Sequence, residues 1–449
     1  MISRGWDKRL PQFHLRKGSN MNILLLGSGG REHALAWSLA KSPKCDKLFI
    51  APGNGGTDSV GINVAGIDIN DAASVLEFAQ DKDVNMVVVG PEAPLVAGVA
   101  DDLRAAGIAV FGPSAEGAQL EGSKDFSKQF MMRNGIPTAA YATFEELEPA
   151  LAYVREQGAP IVIKADGLAA GKGVVVAETL EQACDAVRAC FDGAFGAAGN
   201  RVVIEECMTG PECSLLTFVT KGRAFCMATS QDHKRAYDGD KGPNTGGMGV
   251  YSPVPIVTDE ELAEMEAIMA KAAAATAAEF ELDYRGCLYG GFMLTPQGPK
   301  VVEFNARFGD PETQVICPRL DSDLVEIMLA CAEGRPEDIE LAWKDTWAVS
   351  VVLASAGYPG SYEKGKKITG IEDASALEGV TVFHAGTKVD ADGNILTNGG
   401  RVLNVTALGS SFAEARDLAY KACELIDFEG KQFRTDIGLK ALKGRESWG

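Results

Sequence analysis

Ile161-Val162-Ile163-Lys164-Ala165-Asp166-Gly167-Leu168-Ala169-Ala170-Gly171-Lys172-Gly173-Val174-Val175-Val176 is an apolar strand bearing a lysine, a loop of small residues bearing a second lysine, and another apolar strand. Backbone N–H groups of a glycine-rich loop can close around phosphate oxygens, and two ammonium groups can offset the phosphate charge. The order of elements is strand, loop, strand. A Walker loop runs from strand to helix and places Ser or Thr after its lysine, whereas here the spacing is G-x-x-x-G-K-G and Gly173 follows Lys172. The stretch therefore reads as a nucleotide site outside the P-loop class, a flap that closes over ATP. Gly167, Gly171, Lys172 and Gly173 would face the phosphates, with Lys164 on the strand beneath.

The rest of the chain sets bounds on this reading. At 449 residues it is too long for one ordinary core and is expected to form several domains. Apolar residues make up 46% and charged residues 23%, the balance of a globular protein. A net charge of -19 argues against nucleic-acid partners, which need a basic surface, but leaves room for a local basic pocket. The ten cysteines form no C-x-x-C pair and read as reduced thiols of a cytoplasmic protein. No apolar run approaches a membrane span, and zinc ligand spacing is missing. Residues 1–20 are basic and aperiodic, and an upstream start or added tail without order is expected there.

From Met21 short apolar runs alternate with helical stretches, as in parallel strands covered on both faces. A doubly wound α/β domain is expected over 21–121. Helices are expected over Leu95–Ala106 and Glu116–Asn134, then an α+β region over 122–340 with a lid at about 142–210, a strand over Ala224–Ser230 and an alanine-rich helix over Asp259–Glu279, and a small separate α+β domain over 341–449. The first domain carries three loops at its strand ends: Gly27-Ser28-Gly29-Gly30-Arg31-Glu32, Ala51-Pro52-Gly53-Asn54-Gly55-Gly56 and Gly90-Pro91-Glu92-Ala93-Pro94. Ligands in such sheets bind at that rim. A dinucleotide reading of the first loop fails twice: glutamate stands at position 32 where the third glycine belongs, and no acid ends the second strand. A phosphate at the helix N-terminus beside Arg31 remains.

Glu303-Phe304-Asn305 ends a strand whose two-residue period puts Glu303 and Asn305 on one face. A carboxylate and an amide oxygen on a rigid strand suit Mg2+, which takes oxygen ligands plus substrate phosphates. Arg307-Phe308-Gly309-Asp310-Pro311-Glu312 follows directly. Arg307 suits a carboxylate or phosphoryl group, while Asp310 and Pro311 also read as a helix start. Asp232 and the glycine loop Pro243-Asn244-Thr245-Gly246-Gly247-Met248-Gly249 are candidates for holding a small polar substrate. His233 reads as structural. Glu205-Glu206-Cys207-Met208, at a strand end after the flap, is a candidate hinge for adenine.

Taken together, the flap and the Glu-x-Asn strand resemble those of ATP-grasp ligases. GSGGREHALAW, VGPEAPL, QLEGSKDFSK, IVIKADGLAAGKGV, ATSQDHKR, GPNTGGMG, EFNARFGDPE and FHAGTK, in that order, resemble the phosphoribosylamine–glycine ligase family from Met21 onward. The length suggests a form without a fused domain. The resemblance implies that ATP, glycine and 5-phosphoribosylamine are joined to glycinamide ribonucleotide through glycyl phosphate, in a monomer with small-molecule partners only. It implies Lys124 and Lys164 on the phosphates, Mg2+ or Mn2+ on Glu303 and Asn305, Glu205 to Met208 as the adenine hinge, and Glu212 on the ribose. Gly29, Gly30 and Arg31, with Asn54 and Glu92 on the neighbouring loops, would hold the phosphoribosyl group. Asp232, Gly246, Gly247, Met248, Arg307, Gly309 and Asp310 would hold glycine or the intermediate. The expected catalytic residues are Arg307, Asp310, Lys164 and Asp232. Two rivals are another ATP-grasp enzyme acting on a purine precursor and, from a different class, a nicotinamide-dependent oxidoreductase using Gly27–Gly30.

Overall fold

Met21–Gly27 is the middle strand of a five-stranded parallel sheet, ordered Ile62–Asn63, Cys45–Pro52, Met21–Gly27, Val84–Val89, Ala109–Phe111. Ile23, Leu25, Met86 and Val88 face one apolar core while Leu24, Leu26, Val87 and Val89 face another. Burial on both faces is why these runs do not alternate in sequence. The chain leaves Met21–Gly27 on one side and returns to pair Val84–Val89 on the other. The crevice at the strand ends between them is a switch point at which ligands bind. The computed structural model describes residues 20–168 and 173–443. The expectation for residues 1–19 and the flap positions Gly171 and Lys172 lie outside the described residues.

The first glycine-rich loop is shaped around a side chain of its own. Glu32 accepts from the Gly29 N–H at 2.6 Å and caps helix Gly30–Leu39. A Cβ on Gly27 or Gly90 would overlap the Glu32 side chain. The glutamate at the third-glycine position thus packs against the strand ends, where a dinucleotide loop uses glycine for close helix–strand packing.

Two expected helices are each broken. The stretch 116–134 divides at Ser123, whose Oγ accepts from the Phe126 N–H, into Ala115–Gly122 and Lys124–Arg133. The stretch 95–106 divides at Gly98, which adopts a φ of +84°, into Glu92–Val96 and Val99–Ala105. Beyond them the lid is a four-stranded sheet ordered Tyr141–Phe144, Val202–Glu206, Ile161–Ala165, Val174–Ala177. Helices Leu147–Gln157 and Leu180–Phe191 cover it, and Leu151, Val154, Ile163, Val187 and Ile204 give it a core of its own. Facing the lid is an antiparallel sheet ordered Arg223–Cys226, Glu212–Thr220, Gly286–Thr295, Gly298–Asn305. Its strand Arg223–Cys226 is shorter than the expected 224–230.

The C-terminal domain is not built from its own strands alone. Trp347–Ser355, Arg401–Gly409 and Val380–His384 are extended by Gly249–Ser252 and Gln231–Asp232 from the middle of the chain. Gly249–Ser252 pairs an edge of Trp347–Ser355 that would otherwise stay open. This shared sheet is what brings Asp232 to the mouth of the central region.

A second seam joins the first domain to the last. The His384 N–H donates to His33 Nδ1 at 2.8 Å, Asn54 Nδ2 donates to the His384 carbonyl at 2.8 Å, and the Gly55 N–H donates to the Thr387 carbonyl at 3.2 Å. Burial, with the neighbouring imidazole adding to it at His33, pulls His33 down to about 3 and His384 to about 4 from 6.5. The folded chain therefore refuses protons that the unfolded chain accepts below pH 6.5. Stability from this pair is complete above pH 6.5 and falls as the pH drops toward 4 and then 3. Thermal melts between pH 7 and 5 should show a declining midpoint. In His33→Asn the slope should be shallower, by about 1.4 kcal/mol per pH unit at its steepest below about pH 6. Parallel slopes would contradict this.

Candidate active site

The three regions surround a cleft of about 930 Å³. Its floor is a buried cluster of lysines. Lys164, on strand Ile161–Ala165, is 4% exposed, and its Nζ lies 2.8 Å from Glu205 Oε1. Glu205 Oε2 lies 2.9 Å from Lys128 Nζ, so one carboxylate bridges two ammonium groups. Lys124 opens helix Lys124–Arg133. Its N–H donates to Asp166 Oδ1 at 2.6 Å and its Nζ to the Gly167 carbonyl at 3.0 Å. Asp166 thereby ties the start of the glycine loop to the helix N-terminus, where a negative charge is favoured. Burial pulls Lys124 below its ordinary range, with Glu303 opposing and Lys164 adding to the shift.

Glu303 and Asn305 reach the cleft from strand Gly298–Asn305, while Phe304 is buried behind them. Burial pushes the Glu303 carboxyl up, but Lys234, Lys164, Lys124 and Arg307 hold it below the usual carboxylate range. An ionised carboxylate and an amide oxygen side by side fit a hard cation that takes its remaining ligands from phosphates and water. Gly291 is the residue paired with Glu303 on the next strand, so that strand adds no oxygen ligand opposite it. Among the described residues no group of three or more His, Cys, Asp or Glu could hold a metal. Glu303 and Asn305 would therefore share the ion with substrate.

Opposite charges hold the rest of the lining. Arg307 Nη2 lies 2.6 Å from Glu121 Oε1 and its Nε 3.6 Å from Glu92 Oε2. Burial pulls Arg307 down, but Glu121 and Glu92 hold it above its ordinary value. Asp310 Oδ1 accepts from Gln314 Nε2 at 2.8 Å, and its Oδ2 lies 3.1 Å from Arg401 Nη2. Burial raises the Asp310 carboxyl, yet Arg401 and Arg31 keep it low. Arg401 Nη1 also donates to the carbonyls of Gly246 at 2.6 Å and Asp310 at 2.8 Å. Asp232 contrasts with these. Burial first, and then Glu312, Glu212 and Glu303, push it up to about 8 against the pull of Lys234. Lys234 Nζ lies 2.7 Å from Glu212 Oε2.

The cleft gathers Arg31, Glu92, Lys124, Lys164, Gly167, Gly173, Glu205 to Met208, Glu212, Asp232, Gly246, Glu303, Asn305, Arg307 and Asp310. Other expected site residues have structural parts. Met248 is fully buried, and its N–H and carbonyl are bonded to His233 and Val352. Asn54 spends Nδ2 on the Ser28 and His384 carbonyls and Oδ1 on the Gly56 N–H. The Gly29 N–H is used by Glu32, and Gly30 packs on the amides of Asn404 and Gln314. Gly309 makes room for Glu312, and Gly247 for Pro311. The Glu205 carboxylate is committed to lysines, which leaves only its backbone for a base. His233 is buried, accepts from the Gly438 N–H at 3.0 Å on Nε2, and is pulled down to about 4 by burial and Arg434.

Sequence reasoning did not single out Lys128, Glu121, Lys234 or Arg401. Lys128 was findable, since it stands one helical turn after Lys124 and shares its face. Arg401 was not, because only the tertiary fold brings it to Asp310.

This arrangement of lid, facing sheet and lysine-lined cleft is the ATP-grasp fold. The biotin carboxylase domain of Hydrogenobacter thermophilus 2-oxoglutarate carboxylase shares it with a TM-score of 0.72 at 17% identity, covering 92% of each chain. The family models for phosphoribosylglycinamide synthetase match in order: the N domain over residues 21–121, the ATP-grasp domain over 122–313 and the C domain over 348–440. The phosphoribosylamine–glycine ligase of Brucella melitensis is 51% identical over 423 residues, 94% of this chain and 99% of the relative. That of Vibrio parahaemolyticus is 52% identical over 426 residues, with 94% and 99% covered. The crystal structure of the Thermotoga maritima phosphoribosylamine–glycine ligase superposes with a TM-score of 0.80 at 35% identity, covering 92% of this chain and 99% of that one. The chain belongs to the phosphoribosylglycinamide synthetase family.

Arg401 joins the C-terminal sheet to the cleft through Asp310 and Gly246. Arg401→Ala should lower ligase kcat/KM by the loss of about 2–3 kcal/mol of charged hydrogen bonds, with the circular dichroism spectrum unchanged. Steady-state kinetics at wild-type efficiency would contradict this role.

Proposed function

We propose that this ATP-dependent carbon–nitrogen ligase joins glycine to 5-phosphoribosylamine by way of glycyl phosphate, giving glycinamide ribonucleotide, ADP and phosphate. The observation that carries the reading is the convergence of Lys124 and Lys164 on the ionised Glu303 beside Asn305 in one cleft. A carboxylate is a poor electrophile. A glycine carboxylate oxygen attacks the γ-phosphorus and ADP leaves. The amine of phosphoribosylamine then attacks the acyl carbon, loses a proton, and phosphate departs with one former carboxylate oxygen.

Such chemistry is mainly positioning and charge stabilisation. Lys124 and Lys164 offset the phosphate charge. Glu303 and Asn305 would hold Mg2+, or Mn2+ in its place, which when bound neutralises charge on the phosphate oxygens. Backbone from Glu205 to Met208 would border the adenine and Glu212 the ribose. Asp232 would face the ammonium of glycine. Arg307 and Asp310, each held by oppositely charged partners, would orient glycine and the intermediate. Arg31, on the rim with Glu92, would meet the phosphoribosyl group. The loop between Gly167 and Gly173 would exclude water from the acyl phosphate.

Among the described residues no helix is long and apolar enough to cross a membrane, and the ten cysteines are unpaired. The unpaired thiols support action in a reducing compartment such as the cytoplasm.

Release of ADP from Mg-ATP should require glycine and freshly generated phosphoribosylamine together, with glycinamide ribonucleotide detected by mass spectrometry. Release with neither would contradict the assignment. Glu303→Ala should lose turnover by a factor of about 10³ or more while melting as a folded protein. Near-normal turnover would remove Glu303 from the metal site.

A further inference from the structure

The two lysines that share Glu205 are anchored differently. Lys128 Nζ pairs with Glu205 Oε2 and donates to Thr138 Oγ1 at 2.8 Å and to the Ala139 carbonyl at 3.4 Å. An ammonium has three donors, so Lys128 is fully committed at 2% exposure. Among the described residues Lys164 Nζ meets only Glu205 Oε1 and, at 3.3 Å, the Val302 carbonyl. Val302 neighbours Glu303, so Lys164 stands next to the carboxylate assigned to the metal that would accompany the phosphates. To serve a phosphate it must loosen its hold on Glu205. A buried carboxylate stripped of its only cation is strongly destabilised. Here Lys128 remains.

We propose that Lys128 is a positioning residue that keeps Glu205 paired when ATP draws Lys164 away, so that Lys164 can be both stored and released. The inference rests on the reading of the cleft as the ATP site. Among the three charges, loss of Lys128 leaves Lys164 as the only counter-charge of Glu205 and locks it there. Loss of the Glu205 charge frees Lys164 in either background. A purely structural Lys128 would give variants whose defects simply add.

The test is calorimetric titration of Mg-ATP into the full chain and its variants. Lys128→Met should weaken binding about tenfold or more. Lys128→Met/Glu205→Gln should recover to within about threefold of Glu205→Gln alone. Lys128→Arg, which keeps the charge, should restore most of the affinity. Wild-type affinity in Lys128→Met, or a double variant weaker than both singles, would overturn the proposal. If circular dichroism shows Lys128→Met unfolded, Glu205→Gln decides: affinity equal to or tighter than wild type supports storage of Lys164, and weaker binding refutes it. Absence of Mg-ATP binding by folded wild type would instead overturn the ATP site itself, and this inference with it.

Discussion

An ammonium group at 4% exposure needs a counter-charge, and Lys164 has one in Glu205. That requirement organises the cleft. Glu205 lies near the end of an inner strand of the lid, Lys164 lies on the strand paired with it, and Lys128 comes from helix Lys124–Arg133. A carboxylate on one strand and two lysines on other elements are thus locked in register. Lys124, one turn before Lys128, is pinned by Asp166 at the start of the glycine loop. Lys234 first, then Lys164, Lys124 and Arg307, hold the Glu303 carboxyl low despite its burial. Cations gathered without phosphate are held apart from one another by acids that a polyanion can displace.

The C-terminal part completes the site by sharing its sheet. Gly249–Ser252 and Gln231–Asp232 pair into it, which fixes Asp232, while Arg401 reaches back to Asp310 and Gly246. The cleft therefore depends on contacts between parts of the chain more than 90 residues apart. The His33–His384 seam holds the first domain to the same sheet.

Much of this was legible in the residues. Buried parallel strands showed as unbroken apolar runs, and helix Asp259–Glu279 lay where its alanine-rich pattern placed it. The lysine-bearing flap and the Glu-x-Asn strand pointed to the cleft because both are local motifs. Sequence cannot distinguish a glycine that meets a ligand from one that makes room for a neighbour. Gly27 and Gly90 make room for Glu32, and Gly309 for Glu312. Asn54 looked like a rim ligand but bonds backbone on two other segments. Local period could not reveal the break at Ser123, since its cap acts through a side chain in a continuous helical pattern. The separate C-terminal domain was a natural reading of composition, and only strand pairing showed its debt to residues 231–252.

The central claim is that this charged cleft activates a carboxylate by phosphorylation. Glycine labelled with oxygen-18 in both carboxylate oxygens, turned over with unlabelled Mg-ATP and phosphoribosylamine, tests it directly. Mass spectrometry of the released phosphate should find one labelled oxygen per molecule, carried from glycine through the acyl phosphate. Unlabelled phosphate, with product formed at the same rate, would contradict the account.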